Sequence, residues 1–109
     1  MSREKKFLPG DILLETFYED ENSFLKIEYR PDGSVFMHSE VVYFSPSIAK
    51  HFKEVLKTCF SYLKGKGFSE VYSYPAEKDM KFSKFFGGVL VGVTENIEGD
   101  KYYVFEWEL

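Results

Sequence analysis

The sequence predicts a single α/β (α+β) domain, with a mixed, mostly antiparallel sheet, one long helix and one short helix in the order β-β-α-β-α-β-β. Three observations carry that expectation. Residues 23–44 alternate apolar and polar on either side of Pro31-Asp32-Gly33, the pattern of a hairpin. Residues 46–64 carry apolar side chains at spacings of three and four, the pattern of a helix with one buried face. Residues 68–75, after that helix, read again as a strand, so the middle of the chain is strand, helix, strand. Such a unit requires a crossover and a parallel strand pair, flanked here by antiparallel pairs.

The elements follow in order. Residues 1–21 are set apart as an N-terminal leader with a short element, and residues 22–109 as the single domain. MSREKKFLPG ends in Pro9-Gly10. In DILLETFYE (11–19), Ile12, Leu14 and Phe17 fit neither a strand nor a helix period, so a short strand and a helical turn both remain open. YEDEN (18–22) reads as a solvated acidic loop. FLKIEYR then places Leu25, Ile27 and Tyr29 on one face and Lys26, Glu28 and Arg30 on the other. Proline sets one φ of the following turn and glycine permits a positive one. SVFMHSEVVYF (34–44) returns as the partner strand.

Ser45 or Ser47 can cap the long helix, with Pro46 at its start. Ile48, Phe52, Val55, Leu56, Cys59, Phe60 and Leu63 form its apolar stripe, and Gly65 and Gly67 stop it. FSEVYSYP (68–75) is a strand ended by proline, with Phe68, Tyr72 and Tyr74 on one face. AEKDMKFSKFF (76–86) is the short helix, expected to place Met80, Phe82, Phe85 and Phe86 near the core. VLVGVTE (89–95) and KYYVFEWEL (101–109) form the last hairpin around NIEGD.

Composition narrows the function classes. At 109 residues, with 44% apolar and 19% aromatic content, the chain has ample material for one core. A net charge of −4 argues against a general nucleic-acid binder, although Lys50, Lys53, Lys57, Lys64 and Lys66 gather around one helix. Two histidines and one cysteine, without a paired spacing, offer no metal site. Cys59 falls on the apolar stripe and reads as a small buried hydrophobe. No apolar run approaches about 18 residues, so neither a membrane span nor a signal peptide is expected, and the chain is placed inside the cell.

The stretch VVYFSPSIAKHFKEVL (41–56), the return GFSEV and the helix end KFSKFFGG, in this order, resemble the GNAT acetyltransferase superfamily over roughly residues 22–109. Within it, the chain looks most similar to small, divergent members encoded by short-tailed bacteriophages as head-assembly or internal virion proteins. The resemblance implies a truncated GNAT-like fold with an acetyl-CoA site at the strand-to-helix junction. Val42, Phe44, Ser47, Ile48, Ala49, Lys50 and His51 occupy the position of the family's cofactor loop. That loop carries a glycine-rich signature in the enzymes, and here it contains no glycine. Family enzymes often place a tyrosine acid four residues before the glycine that ends the short helix. Counting back from Gly87 or Gly88 gives Ser83 or Lys84. The N-terminal segment is also too short for the two helices that build much of the acceptor wall in full-length enzymes.

His38 and Glu40 lie two apart on one strand face, where an imidazole and a carboxylate could remove a proton from an acceptor amine. Their ordinary reading is a solvent-facing polar pair. Lysines around the first turns of the long helix read as a solvated face, since cations oppose the helix dipole there. The aromatic strands read as core first, then as a protein interface, and only last as an RNA-stacking sheet. The expectation is a non-catalytic GNAT-like protein, in host cytoplasm or a phage particle, acting through a protein partner or as a homo-oligomer, with no cofactor, membrane or nucleic acid. The alternative is a small N-acetyltransferase that uses acetyl-CoA through an atypical loop, with His38 and Glu40 as its catalytic residues.

Overall fold

The computed structural model describes residues 13–75 and 77–109. Its elements are β1 (Leu13–Glu19), β2 (Ser23–Tyr29), β3 (Val35–Val41), α1 (Pro46–Gly65), β4 (Glu70–Ser73), a 3-10 turn (Glu77–Asp79), α2 (Met80–Phe85), β5 (Val89–Glu95) and β6 (Lys101–Glu108). The strands make one six-stranded sheet in the order β1-β2-β3-β4-β6-β5. Its pairs are antiparallel except β3 with β4, the pair that α1 connects. The mixed, mostly antiparallel sheet with one long and one short helix is therefore the observed fold. The leader residues 1–10, with Asp11 and Ile12, lie outside the described residues.

Residues 13–19 resolve as a strand at the sheet edge. The register against β2 shifts between Thr16 and Tyr18, a bulge that explains why this segment fits no simple period. The extra residue lets Glu15, Phe17 and Tyr18 all reach α1. Glu15 accepts hydrogen bonds from the hydroxyls of Tyr29 at 2.5 Å and Tyr62 at 2.7 Å, Phe17 packs on Tyr62, and Tyr18 meets His51.

Helices α1 and α2 cover one face of the sheet. Leu25, Ile27, Val35, Met37, Val71, Phe105 and Trp107 point into that layer against Phe52, Leu56, Cys59, Leu63 and Phe86. Burying a side chain of this size contributes about 2 kcal/mol. The Cys59 thiol is fully enclosed, and burial pushes its pKa up to about 12. Both helices end in the same way, with a glycine in the left-handed region. Gly67 and Phe68 close α1 by bonding Lys64 and Leu63, while Gly87 and Gly88 close α2 by bonding Lys84 and Ser83.

Two packing expectations change. Phe85 is 63% exposed, because α2 is one short turn shifted towards Ser83 and Phe86 as its inward residues. Phe68 packs on Tyr29 at the helix side of the sheet, since it belongs to the α1 closure and not to β4. Tyr72 and Tyr74 instead join Phe36 and Tyr102 in an aromatic row on the opposite face, the helix-free face, which carries no helix among the described residues. Among the described residues, no helix is long and apolar enough to cross a membrane.

Candidate functional site

The site arises where β3 and β4 part. They share one register pair, Phe36 with Tyr72. After it, β3 runs on to Val41 and remains paired with β2 through Val41 and Ser23. β4 stops at Ser73, and its chain follows β6 instead, with Tyr103 donating its amide to the Pro75 carbonyl at 3.1 Å. Pro75 has no N–H to offer back towards β3. The β4-facing edge of β3 beyond Phe36 therefore has no strand partner.

A cleft of about 480 Å³ fills the gap, bounded by His38, Ser39 and Glu40 of β3, Ser73 and Tyr74 at the end of β4, and Phe82 and Ser83 of α2. This volume lies within the range of small-molecule sites, about 300–1,000 Å³. The Ser73 hydroxyl is buried in its wall without a hydrogen-bond partner. Buried polar atoms are nearly always bonded, so this one is suited to a ligand or an ordered water.

On the helix-free face the cleft meets a charged cluster. Glu28 is 4% exposed and accepts from Arg30 Nε at 2.5 Å, while His38 Nε2 lies 2.5 Å from its other oxygen. Burial alone raises the Glu28 carboxyl, but the bonds to His38 and Arg30 outweigh it and hold the group below its ordinary 4.5. The Arg30 guanidinium sits 3.8 Å above the Phe36 ring, and Tyr74 meets His38 edge-on. Burial, followed by the Glu28 charge, raises the Tyr74 hydroxyl, which keeps its proton at neutral pH.

His38 and Glu40 thus stand together at the cleft, Glu40 exposed and His38 half-buried. The residues of the strand-to-helix junction are not gathered in the same way. Val42 is 74% exposed and bonds the Asn22 carbonyl through its amide. Phe44 leans on Phe82, Phe85 and Phe86. Ser45 caps α1, its hydroxyl accepting from Ile48 N–H at 3.2 Å and its carbonyl from Ala49 N–H at 2.8 Å. Ala49 is buried, Lys50 is exposed, and His51 faces Tyr18 at 2.8 Å. Of the first helical residues, Pro46 has no N–H, and Ile48 and Ala49 have theirs bonded. Ser47 is left to offer one amide to an anion.

Glu28, Arg30, Ser73 and Tyr74 are the site residues that periodicity did not select. For Glu28 the signal was present: the Pro-Asp-Gly turn sets Glu28 opposite Phe36, one diagonal step from His38. For Ser73 and Tyr74 no local signal exists, because their role depends on β4 leaving β3. Among the described residues, no cluster of His, Cys, Asp or Glu could hold a metal ion.

No protein-family model matches the chain, and no curated protein matches it in sequence. Solved structures do. An N-acetyltransferase from Staphylococcus aureus Mu50 superposes with a TM-score of 0.66 at 12% identity, over 89% of this chain and 67% of that one. A candidate GNAT-family acetyltransferase from Desulfovibrio desulfuricans gives 0.64 at 14% identity, over 89% and 68%. A candidate N-acetyltransferase from Lactobacillus plantarum gives 0.64 at 13% identity, over 100% and 79%. The chain has a GNAT-like fold.

Proposed function

We propose that this chain is a small N-acetyltransferase that takes the thioester arm of acetyl-CoA into the β3/β4 cleft and serves an amine approaching from the helix-free face. The observation that carries this reading is the parting of β3 and β4 after Phe36 and Tyr72, beside a buried Ser73 hydroxyl with no partner. The shared fold supports it at the level of architecture.

The two ends of the cofactor fit differently. An amide-bearing arm suits the cleft, where the free edge of β3 and the Ser73 hydroxyl can bond it. In the first turn of α1 the diphosphate end finds one amide, that of Ser47, because Ser45 already caps the helix. Lys50, exposed near that end, is the nearest replacement charge on the helix. When bound, acetyl-CoA supplies an activated acyl carbonyl. The chain's own residues hold the arm, keep the Tyr74 phenol protonated, and set His38 and Glu40 where either can take the amine proton. The enzyme would work inside the cell.

The closed helix start favours a second reading, a non-catalytic GNAT-like domain acting through protein contacts, as in the phage head-assembly proteins the sequence resembles. Strand β5 at the sheet edge, with Val89, Val91 and Val93 each more than half exposed, suits such contacts. Thiol release from acetyl-CoA in the presence of a panel of primary amines separates the two. Release that falls on His38→Asn or Glu40→Gln supports the enzyme. No release with any amine, from a chain shown to be folded, leaves the contact reading.

A further inference from the structure

Among the described residues, Glu28 is the one buried carboxylate, and the transfer reading gives it no task. Its position is unusual for a strand residue facing away from both helices. Both oxygens are used: Oε2 by Arg30 Nε and Oε1 by His38 Nε2, each at 2.5 Å, with the Tyr74 hydroxyl donating to Oε1 at 3.4 Å. Arg30 is itself held by its stacking on Phe36 and by the Tyr74 hydroxyl at 3.4 Å. The carboxylate is thus clamped from one side by a permanent cation and aimed at the histidine from the other.

An ionised carboxylate can only accept hydrogen bonds, so the shared proton must reside on His38 Nε2. In its basic form, with that proton on Nε2, the ring carries its lone pair on Nδ1, which has no hydrogen-bond partner among the described residues, on a side chain that bounds the cleft. We propose that Glu28 is a positioning residue that fixes His38 with its proton on Nε2 and thereby presents Nδ1 as the base for the incoming amine. The inference rests on the acetyl-transfer reading. In the step it describes, the amine proton passes to Nδ1 as the amine nitrogen bonds the acyl carbon. The carbon–sulfur bond breaks, its electron pair leaves on sulfur, and the imidazolium returns the proton to that thiolate. Glu28 stabilises the imidazolium and stays ionised throughout.

The pair has a spectroscopic signature that does not depend on activity. In the ¹⁵N-labelled full chain, long-range ¹H–¹⁵N correlation assigns each imidazole nitrogen, and His51→Asn identifies the two rings. We expect a downfield, exchange-protected proton on His38 Nε2 that is lost in Glu28→Gln. A proton on Nδ1, no protected proton in the wild type, or one that persists in Glu28→Gln overturns the inference. The wild-type spectrum decides the tautomer even where the variant folds poorly. In the transfer assay, Glu28→Gln is expected to lower kcat roughly tenfold or more with little change in the KM for acetyl-CoA. An unchanged kcat, with His38→Asn inactive, also overturns it. Absence of wild-type transfer removes the base role together with the acetyl-transfer reading, whereas the spectrum still judges the Glu28–His38 pair on its own.

Discussion

Phe36 of β3 and Tyr72 of β4 face each other across the one register pair that joins these parallel strands, and the cleft opens at the next residue of each. Their rings, 5.4 Å apart, lie on the helix-free face, so the last contact before the split is an aromatic one. The split follows from competing partners. β2 holds β3 as far as Val41, whereas β6 draws Ser73, and then Pro75, away.

The unpartnered Ser73 hydroxyl implies a trade between stability and binding. Ser73→Ala removes a buried, unbonded polar atom, whose cost is about 1–3 kcal/mol. Urea unfolding should show a variant at least as stable as the wild type, while calorimetry shows weaker acetyl-CoA binding. A clear loss of stability would mean that the hydroxyl is bonded in solution, by water or by the chain.

Ser45 is a structural cap at the start of α1, where the proposed reading would seat the diphosphate end of acetyl-CoA. Ser45→Ala deletes the bond to Ile48 N–H and should cost about 1 kcal/mol, read from the shift in the denaturation midpoint. It also frees an amide at the helix start. Acetyl-CoA affinity should hold or rise; a fall would show that the serine itself touches the cofactor.

Gly88 allows Trp107 to lie against the α2 closure. A Cβ there would stand 2.7 Å from the indole ring, whose N–H donates to the Phe86 carbonyl at 3.0 Å. Gly88→Ala should destabilise the chain by about 1–3 kcal/mol. Fluorescence of the single tryptophan should shift to the red as the buried bond loosens.

Four carboxylates make the chain acid-sensitive, among them Asp32, lowered by the Ser34 hydroxyl and amide. Asp20 is held down to about 2, chiefly by the Tyr18 hydroxyl and then by the Asn22 and Ser23 amides. Glu15 and Glu28 are lowered too, burial being outweighed by hydrogen bonds from Tyr29 and Tyr62 in one case and from His38 and Arg30 in the other. A carboxyl whose pKa is lower when folded lets the unfolded chain bind protons first. Its contribution is whole above the ordinary value of 4.5 for the glutamates and 3.8 for the aspartates, and drains away as pH falls through the folded values. Urea midpoints should be flat from about pH 7 to 5 and drop below that range, less steeply in Glu15→Gln.

Much of this architecture was legible locally. The alternation of Leu25, Ile27 and Tyr29 and the Pro-Asp-Gly turn marked the hairpin, and the Phe52–Leu63 stripe marked α1, because each rests on periods within one segment. Strand β1 was not, since its bulge at Phe17 breaks the period. The candidate pair His38 and Glu40 was visible as two polar residues on one strand face. The cleft beside it was not, because it depends on Ser73 preferring Phe105 of β6 to a residue of β3, a competition between segments about thirty residues apart. Nor did the missing glycines after Val41 say how the helix start is closed; that required the Ser45 cap.

The most direct test is titration calorimetry of the folded chain with acetyl-CoA, S-acetylpantetheine, free CoA and ATP. If the cleft holds the thioester arm while Ser45 closes the diphosphate cradle, acetyl-CoA and S-acetylpantetheine should both saturate, with affinities within about tenfold, about 1.4 kcal/mol, of each other. ATP should give no saturable heat. A flat titration with both thioesters would contradict the account and leave the GNAT-like fold serving protein contacts alone.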